Sequence, residues 1–91
     1  LMARHYAPHA RLEVVIGSRA RAEMLAASGE RVGWMTFEEN PPDLPGVTAL
    51  TLPGEAKAYA AQLYAALHTL DALKVSCIVA ERPPDGDMWL A

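Results

Sequence analysis

Four short apolar runs, interrupted by two stretches of strong helix formers, constrain this chain more than any other feature. Leu12-Glu13-Val14-Val15-Ile16, Val32 to Phe37, Val47 to Leu52 and Val75 to Ala80 each have strand length and a high β-branched content. The first run reads as a strand buried on both faces, as in a parallel sheet, and the last is more strongly apolar still. Between the first and second runs, Arg19 to Ser28 is rich in Ala, Leu, Met, Arg and Glu. Ser18 stands where an N-cap belongs and Gly29 where a left-handed C-terminal cap belongs. Ala20, Met24, Leu25 and Ala27 would form its apolar stripe.

Between the third and fourth runs, the helical stretch is longer, about Glu55 to Leu73. Tyr59, Leu63, Leu67, Leu70 and Leu73 follow one another at helical spacing, which marks a single buried face. Glu55 suits the positive end of that helix, and Ala56, Ala60 and Ala66 permit close approach to a sheet. The second and third runs are joined without a helix: Glu38 to Pro45 carries Pro41, Pro42 and Pro45, which exclude helix and central strand. After the fourth run, Arg82 to Asp87 reads as a tight loop and Met88 to Ala91 as the first turn of another helix. The expected fold is α/β, a small three-layer domain with a largely parallel sheet of about four strands. The pattern of runs leaves the strand order open. With 91 residues the chain has room for one domain. Residues 1–10, broken by Pro8, read as a linker, and residues 11–91 as the domain body.

Composition removes several classes of function. A single cysteine, Cys77, excludes a disulfide framework and a multi-cysteine zinc site, and its mid-strand position implies a buried, inert thiol. No apolar stretch approaches the ~20 residues of a membrane span, so neither a membrane nor a secretory route is expected and a cytoplasmic location is. The formal charge of −3 argues against a generic nucleic-acid binder. That charge is unevenly placed. Residues 1–21 hold four arginines against Glu13, a net +3, and the remainder holds four basic against ten acidic residues, a net −6. Ser18, Arg19 and Arg21, at the start of the first helix, are therefore candidates for an anion-binding edge. The turn Gly17-Ser18-Arg19-Ala20-Arg21-Ala22 lacks the second and third glycines of a dinucleotide fingerprint, and a capped helix after a strand is the favoured reading. The three histidines have no metal-ligand spacing, no metal site is expected, and no nucleophile–base set can be assembled. His68 is expected at the surface, and Trp34, Trp89, Tyr59 and Tyr64 in the core or at an interface. Arg4-His5-Tyr6-Ala7-Pro8 is the one polar cluster without an obvious structural duty. In an extended segment Arg4 and Tyr6 would face one side and His5 the other, either reaching into a neighbouring site or packing as a leading strand.

Leu1-Met2-Ala3-Arg4-His5-Tyr6-Ala7-Pro8 resembles the interdomain linker motif, ending R-H-Y-A-P, of the two-domain threonylcarbamoyl-AMP synthases of the Sua/YciO/YrdC family. Ala60-Ala61-Gln62-Leu63-Tyr64-Ala65-Ala66-Leu67-His68-Thr69-Leu70-Asp71 is similar to the family's A-x-x-L-Y-A-A-L-R-x-L-D helix, with His68 in place of the usual Arg. Met88-Trp89-Leu90-Ala91 resembles the start of a last helix that normally continues into D-R-L-x-R-A, which would leave that helix truncated here. The resemblance implies a Rossmann-like C-terminal domain whose catalytic N-terminal YrdC-like partner domain is not in this chain. It implies that the intact protein condenses L-threonine, bicarbonate and ATP, with magnesium, into threonylcarbamoyl-adenylate and pyrophosphate for tRNA threonylcarbamoyladenosine modification. It makes Arg4, His5 and Tyr6 the candidates for contacting nucleotide or substrate in the intact protein, and carries over no catalytic residue and no cofactor to the body. The expected role is accessory or regulatory, closing the catalytic cleft. Two other roles stay open: a small nucleotide- or RNA-binding module using the basic N-terminal edge, touching tRNA or tRNA-modification proteins, and a structural or dimerising domain whose exposed face includes Trp34 or Trp89.

Overall fold

A computed structural model describes residues 10–83. The elements run β1 (Arg11–Val15), α1 (Ser18–Ala27), β2 (Val32–Thr36), β3 (Val47–Thr51), α2 (Ala56–Ala72) and β4 (Cys77–Glu81). All four strands lie parallel in one sheet of order β1-β4-β2-β3. The α/β architecture expected from the alternating runs is therefore present, with both central strands, β4 and β2, read from continuous apolar sequence.

The two helices cover opposite faces. On one face Ala22 and Leu25 of α1 pack with Val32, Trp34, Cys77 and Val79, and Leu44 of the proline-rich connector extends that layer over β3. On the other, Tyr59, Ala66, Leu67 and Leu70 of α2 pack with Met35, Ile78 and Ala80. Direction of travel accounts for this. The chain moves from β1 to β2 and on to β3 over one face, then returns from β3 to β4 over the other, as connections of constant hand require. At Gly33 of β2 a Cβ would stand 3.0 Å from both terminal methyls of Leu70, so the missing side chain is what lets α2 settle on the sheet.

Local chemistry sets the ends of the helices. α2 begins at Glu55, whose carboxylate accepts from the Ala58 N–H at 2.9 Å and the Lys57 N–H at 3.3 Å. α1 ends in a Schellman arrangement, with Gly29 N–H on the Ala26 carbonyl and Glu30 N–H on the Leu25 carbonyl.

Four expectations need correction. The buried face of α2 stops at Leu70: Leu73, just past the end of the helix, is 43% exposed, and Ala60 is exposed as well. Ser18 is the first helical residue and not the cap: the cap position falls on Gly17, at φ 78°, where a side chain would strain the backbone. The α1 stripe is Ser18, Ala22 and Leu25, while Met24 is 61% exposed and Ala20 and Ala27 lie outside, because one helix over a twisted sheet meets it along a narrower line than its composition suggests. The first run is not buried on both faces. β1 is an edge strand, and Leu12 and Val14 are each 45% exposed.

Candidate functional site

In an open α/β sheet, ligands bind beyond the carboxyl ends of the strands, against helix N-termini. Here that edge comprises the β1–α1 turn, the end of β4, and the ends of β2 and β3. Gly17 adopts a left-handed conformation and so turns the first N–H groups of α1 back toward β4. Val15 stands opposite Glu81 in the sheet register, and the Arg82 N–H bonds the Val15 carbonyl at 2.7 Å, which brings the end of β4 against that turn.

Glu81 fills the position an anionic ligand would take. Its carboxylate accepts from the Gly17 N–H at 3.2 Å, the Ser18 N–H at 2.8 Å and the Ser18 hydroxyl at 2.7 Å. The indole Nε1–H of Trp34, fully buried in β2, donates to the Ser18 hydroxyl at 2.8 Å. Burial acts to raise the Glu81 carboxyl, but the hydrogen bonds from Ser18 and Gly17 outweigh it and hold it below its ordinary range. Among the described residues, no buried side-chain nitrogen or oxygen lacks a hydrogen bond.

The neighbouring crevice between β2 and β3, whose connections leave toward opposite faces, is closed in the same manner. Glu38 N–H donates to Thr36 Oγ1 at 3.1 Å, and the Thr51 hydroxyl donates to the Glu38 carbonyl at 2.6 Å. The Glu38 carboxylate pairs with Arg19 through both its oxygens.

The candidate anion edge therefore divides. Ser18 sits in the polar network, while Arg19 turns to Glu38 and Arg21 turns to Glu13, with Nε at 2.8 Å and Nη2 at 3.0 Å from its two oxygens. Arg11 contacts Glu13 and Glu30. The surplus of arginine in residues 1–21 does not build a basic face from these three, since each guanidinium meets a carboxylate. The hydrogen bond from Arg21 is the main cause of a Glu13 carboxyl lowered from its ordinary value.

Cys77 is fully buried and burial raises its thiol, as a mid-strand position implies. His68 is exposed and packs edge-on against Tyr64 at 4.6 Å. Trp34 is buried, so it cannot belong to an exposed dimerising face. Arg4, His5, Tyr6 and Trp89 lie outside the described residues. Among the described residues, no group of three or more His, Cys, Asp or Glu could hold a metal ion, and no helix is long and apolar enough to cross a membrane. An open cleft between α1 and the connector, lined by Glu23, Ala26, Ala27, Leu44 and Pro45, offers one carboxylate and no convergent polar groups.

Sequence reasoning missed Glu81 and Trp34 as partners of Ser18. The available signal was an acidic residue ending a strongly apolar strand, but its meaning depends on β4 lying beside β1. A family model described as threonylcarbamoyl-AMP synthase, C-terminal domain, matches residues 1–91. No curated protein and no solved structure matches the chain significantly.

Proposed function

The chain belongs to the threonylcarbamoyl-AMP synthase C-terminal domain family, and from that premise we propose that it is an accessory domain that closes the catalytic cleft of the intact enzyme. The observation carrying this reading is the Glu81 carboxylate seated on the α1 N-terminus. The place where a sheet of this kind receives a phosphate is filled by the chain's own side chain, so the body acts through its surfaces and its linker. ATP with its magnesium, L-threonine and bicarbonate then belong to the N-terminal catalytic domain, and residues 1–10 join the two. Arg4, His5 and Tyr6 would reach nucleotide or substrate from that linker. A closed cleft excludes water and so protects a carbamate and a mixed anhydride from hydrolysis. The product would serve tRNA modification. An RNA-binding role for the basic edge gains no support, because Arg11, Arg19 and Arg21 each face a carboxylate.

The test is pyrophosphate release from ATP, L-threonine and bicarbonate, together with the fraction of threonylcarbamoyl-adenylate lost to hydrolysis. The full-length protein should retain its product. Its N-terminal domain alone should lose more product to water, and the 91-residue chain alone should release no pyrophosphate. Turnover by this chain, or equal product loss with and without it, would overturn the reading.

A further inference from the structure

Among the described residues three side chains carry sulfur: Met24, Met35 and Cys77. Two are sealed. Met35 is 2% exposed within the α2 layer, and Cys77 is fully buried, where burial raises its thiol and keeps it protonated. Met24 is the opposite case. It is 61% exposed on the outer side of α1, so its thioether meets solvent and any oxidant that solvent carries. Exposure decides which sulfur reacts first with an oxidant, and burial withholds the others.

Met24 also differs from an ordinary surface methionine, because its sulfur is held. Arg21, one helical turn earlier, donates from Nη1 to the Met24 Sδ at 3.4 Å. That guanidinium has little freedom of its own. Its Nε and Nη2 are bound to the two oxygens of Glu13 at 2.8 and 3.0 Å, and Glu13 belongs to β1. The planar fork is thus fixed by a strand outside the helix, and the nitrogen left over from the carboxylate faces the thioether. A thioether sulfur has two lone pairs, which a freely turning side chain presents to solvent equally. Here Arg21 engages one of them and leaves the other open.

We propose that Met24 is a sulfoxidation site of this domain and that Arg21 selects which sulfoxide epimer forms. The oxidant is a hydroperoxide, with hydrogen peroxide the simplest. The open lone pair of Sδ attacks one peroxide oxygen, an S–O bond forms, the O–O bond breaks and hydroxide leaves. The proton on the new S–OH group passes to that hydroxide, which departs as water. Sulfur is oxidised by two electrons and the peroxide is reduced by two. Approach from the Arg21 side must first break the Nη1–H contact, so oxygen arrives from the other side and one configuration at sulfur predominates. The fold tolerates the product. Met24 takes no part in the α1 layer, and a sulfoxide oxygen at an exposed position is solvated by water. Reductases that act on a single epimer can remove such a mark.

The experiment treats the folded 91-residue chain with dilute hydrogen peroxide. Trypsin then places Met24 in peptide 22–31 and Met35 in peptide 32–57, so mass spectrometry reads the two separately. Reductases specific for each epimer, applied to the isolated Met24 peptide, report the configuration at sulfur. The expected result is oxidation of Met24 with Met35 spared, and an epimer excess of about threefold, the factor that one weak hydrogen bond carries. Arg21→Ala, with its circular dichroism retained, should give near-equal epimers at Met24. The unaltered chain oxidised in urea should do the same and needs no variant. Met24 oxidised no faster than Met35 in the folded chain overturns the site. Equal epimers in the folded chain, or an excess that survives in urea or in Arg21→Ala, overturns the selection by Arg21.

Discussion

Replacing Glu81 tests the polar centre of the fold most directly. Its carboxylate accepts three hydrogen bonds from Gly17 and Ser18, and Ser18 in turn accepts from the Trp34 indole. Glu81→Ala removes the acceptor for two N–H groups at the start of α1, a loss comparable to deleting an N-cap, about 1 kcal/mol. It also leaves the hydroxyl of Ser18, 1% exposed, without an acceptor for its proton. An orphaned buried donor costs roughly 1–3 kcal/mol. The sum is about 2–4 kcal/mol, a large part of the roughly 5–14 kcal/mol expected for a domain of this length. Glu81→Gln retains one acceptor oxygen and should cost about half as much, since hydrogen bonds to a charged group exceed neutral ones. Urea unfolding followed by Trp34 emission and circular dichroism gives both values. The pH dependence adds an independent check. Because the Glu81 carboxyl is lowered from its ordinary 4.5, the unfolded chain binds the proton more readily than the folded one. The stabilisation is therefore complete above about pH 4.5 and is lost as the pH falls through the lower folded value. Glu13, also lowered, contributes an acid slope of the same sign that the variant keeps. The gap between wild type and Glu81→Gln should narrow below about pH 4.5. A constant gap from neutral pH into acid, or a Glu81→Ala protein within about 0.5 kcal/mol of wild type, would refute the assignment.

Four further outcomes are expected. Gly33→Ala pushes a methyl to 3.0 Å from Leu70 and should destabilise by about 1–3 kcal/mol, with Gly33→Ala/Leu70→Ala recovering part of the loss, as calorimetry of the pair would show. Gly17→Ala has open space around its Cβ, so its cost of about 1–2 kcal/mol comes from a φ of 78° alone, read as a shift of the thermal midpoint. The Cys77 thiol should react with an aromatic disulfide reagent only as fast as the chain unfolds, and a burst of reaction in the native state would contradict its burial. In the full-length protein, Arg4→Ala with Tyr6→Phe should lower turnover without changing the melting temperature, and unaltered kinetics would remove the linker from the mechanism.

The four apolar runs and two helix-forming stretches were legible because continuous burial and helical spacing are local properties of sequence. What depended on strand order was not. Leu12, Val14 and Ile16 are as apolar as a central strand, and only the order β1-β4-β2-β3 reveals them as an edge. Ser18 has the composition of a cap, but its turn begins one residue earlier at a glycine, and the capping carboxylate arrives from Glu81, 63 residues away. The clustered arginines suggested an anion site because Glu30 and Glu38, which meet Arg11 and Arg19, are distant in sequence and close only after folding. Burial of Trp34 and Cys77 followed from their places within apolar runs, which tertiary structure did not overrule.

The insertion of β4 between β1 and β2 also orders events in time. Among the described residues β1 has β4 as its one hydrogen-bonded neighbour, and the register Arg11↔Cys77 joins residues 66 positions apart. During synthesis, β1 can join no sheet until residue 81 has left the ribosome, so the body folds late, through a large loop closure. Ala10, anchored between β1 and Asp71, is placed at that same step. The backbone at Ala10 thus acquires its fixed position only when β4 is in place, so the start of the described body is set by residues near its far end.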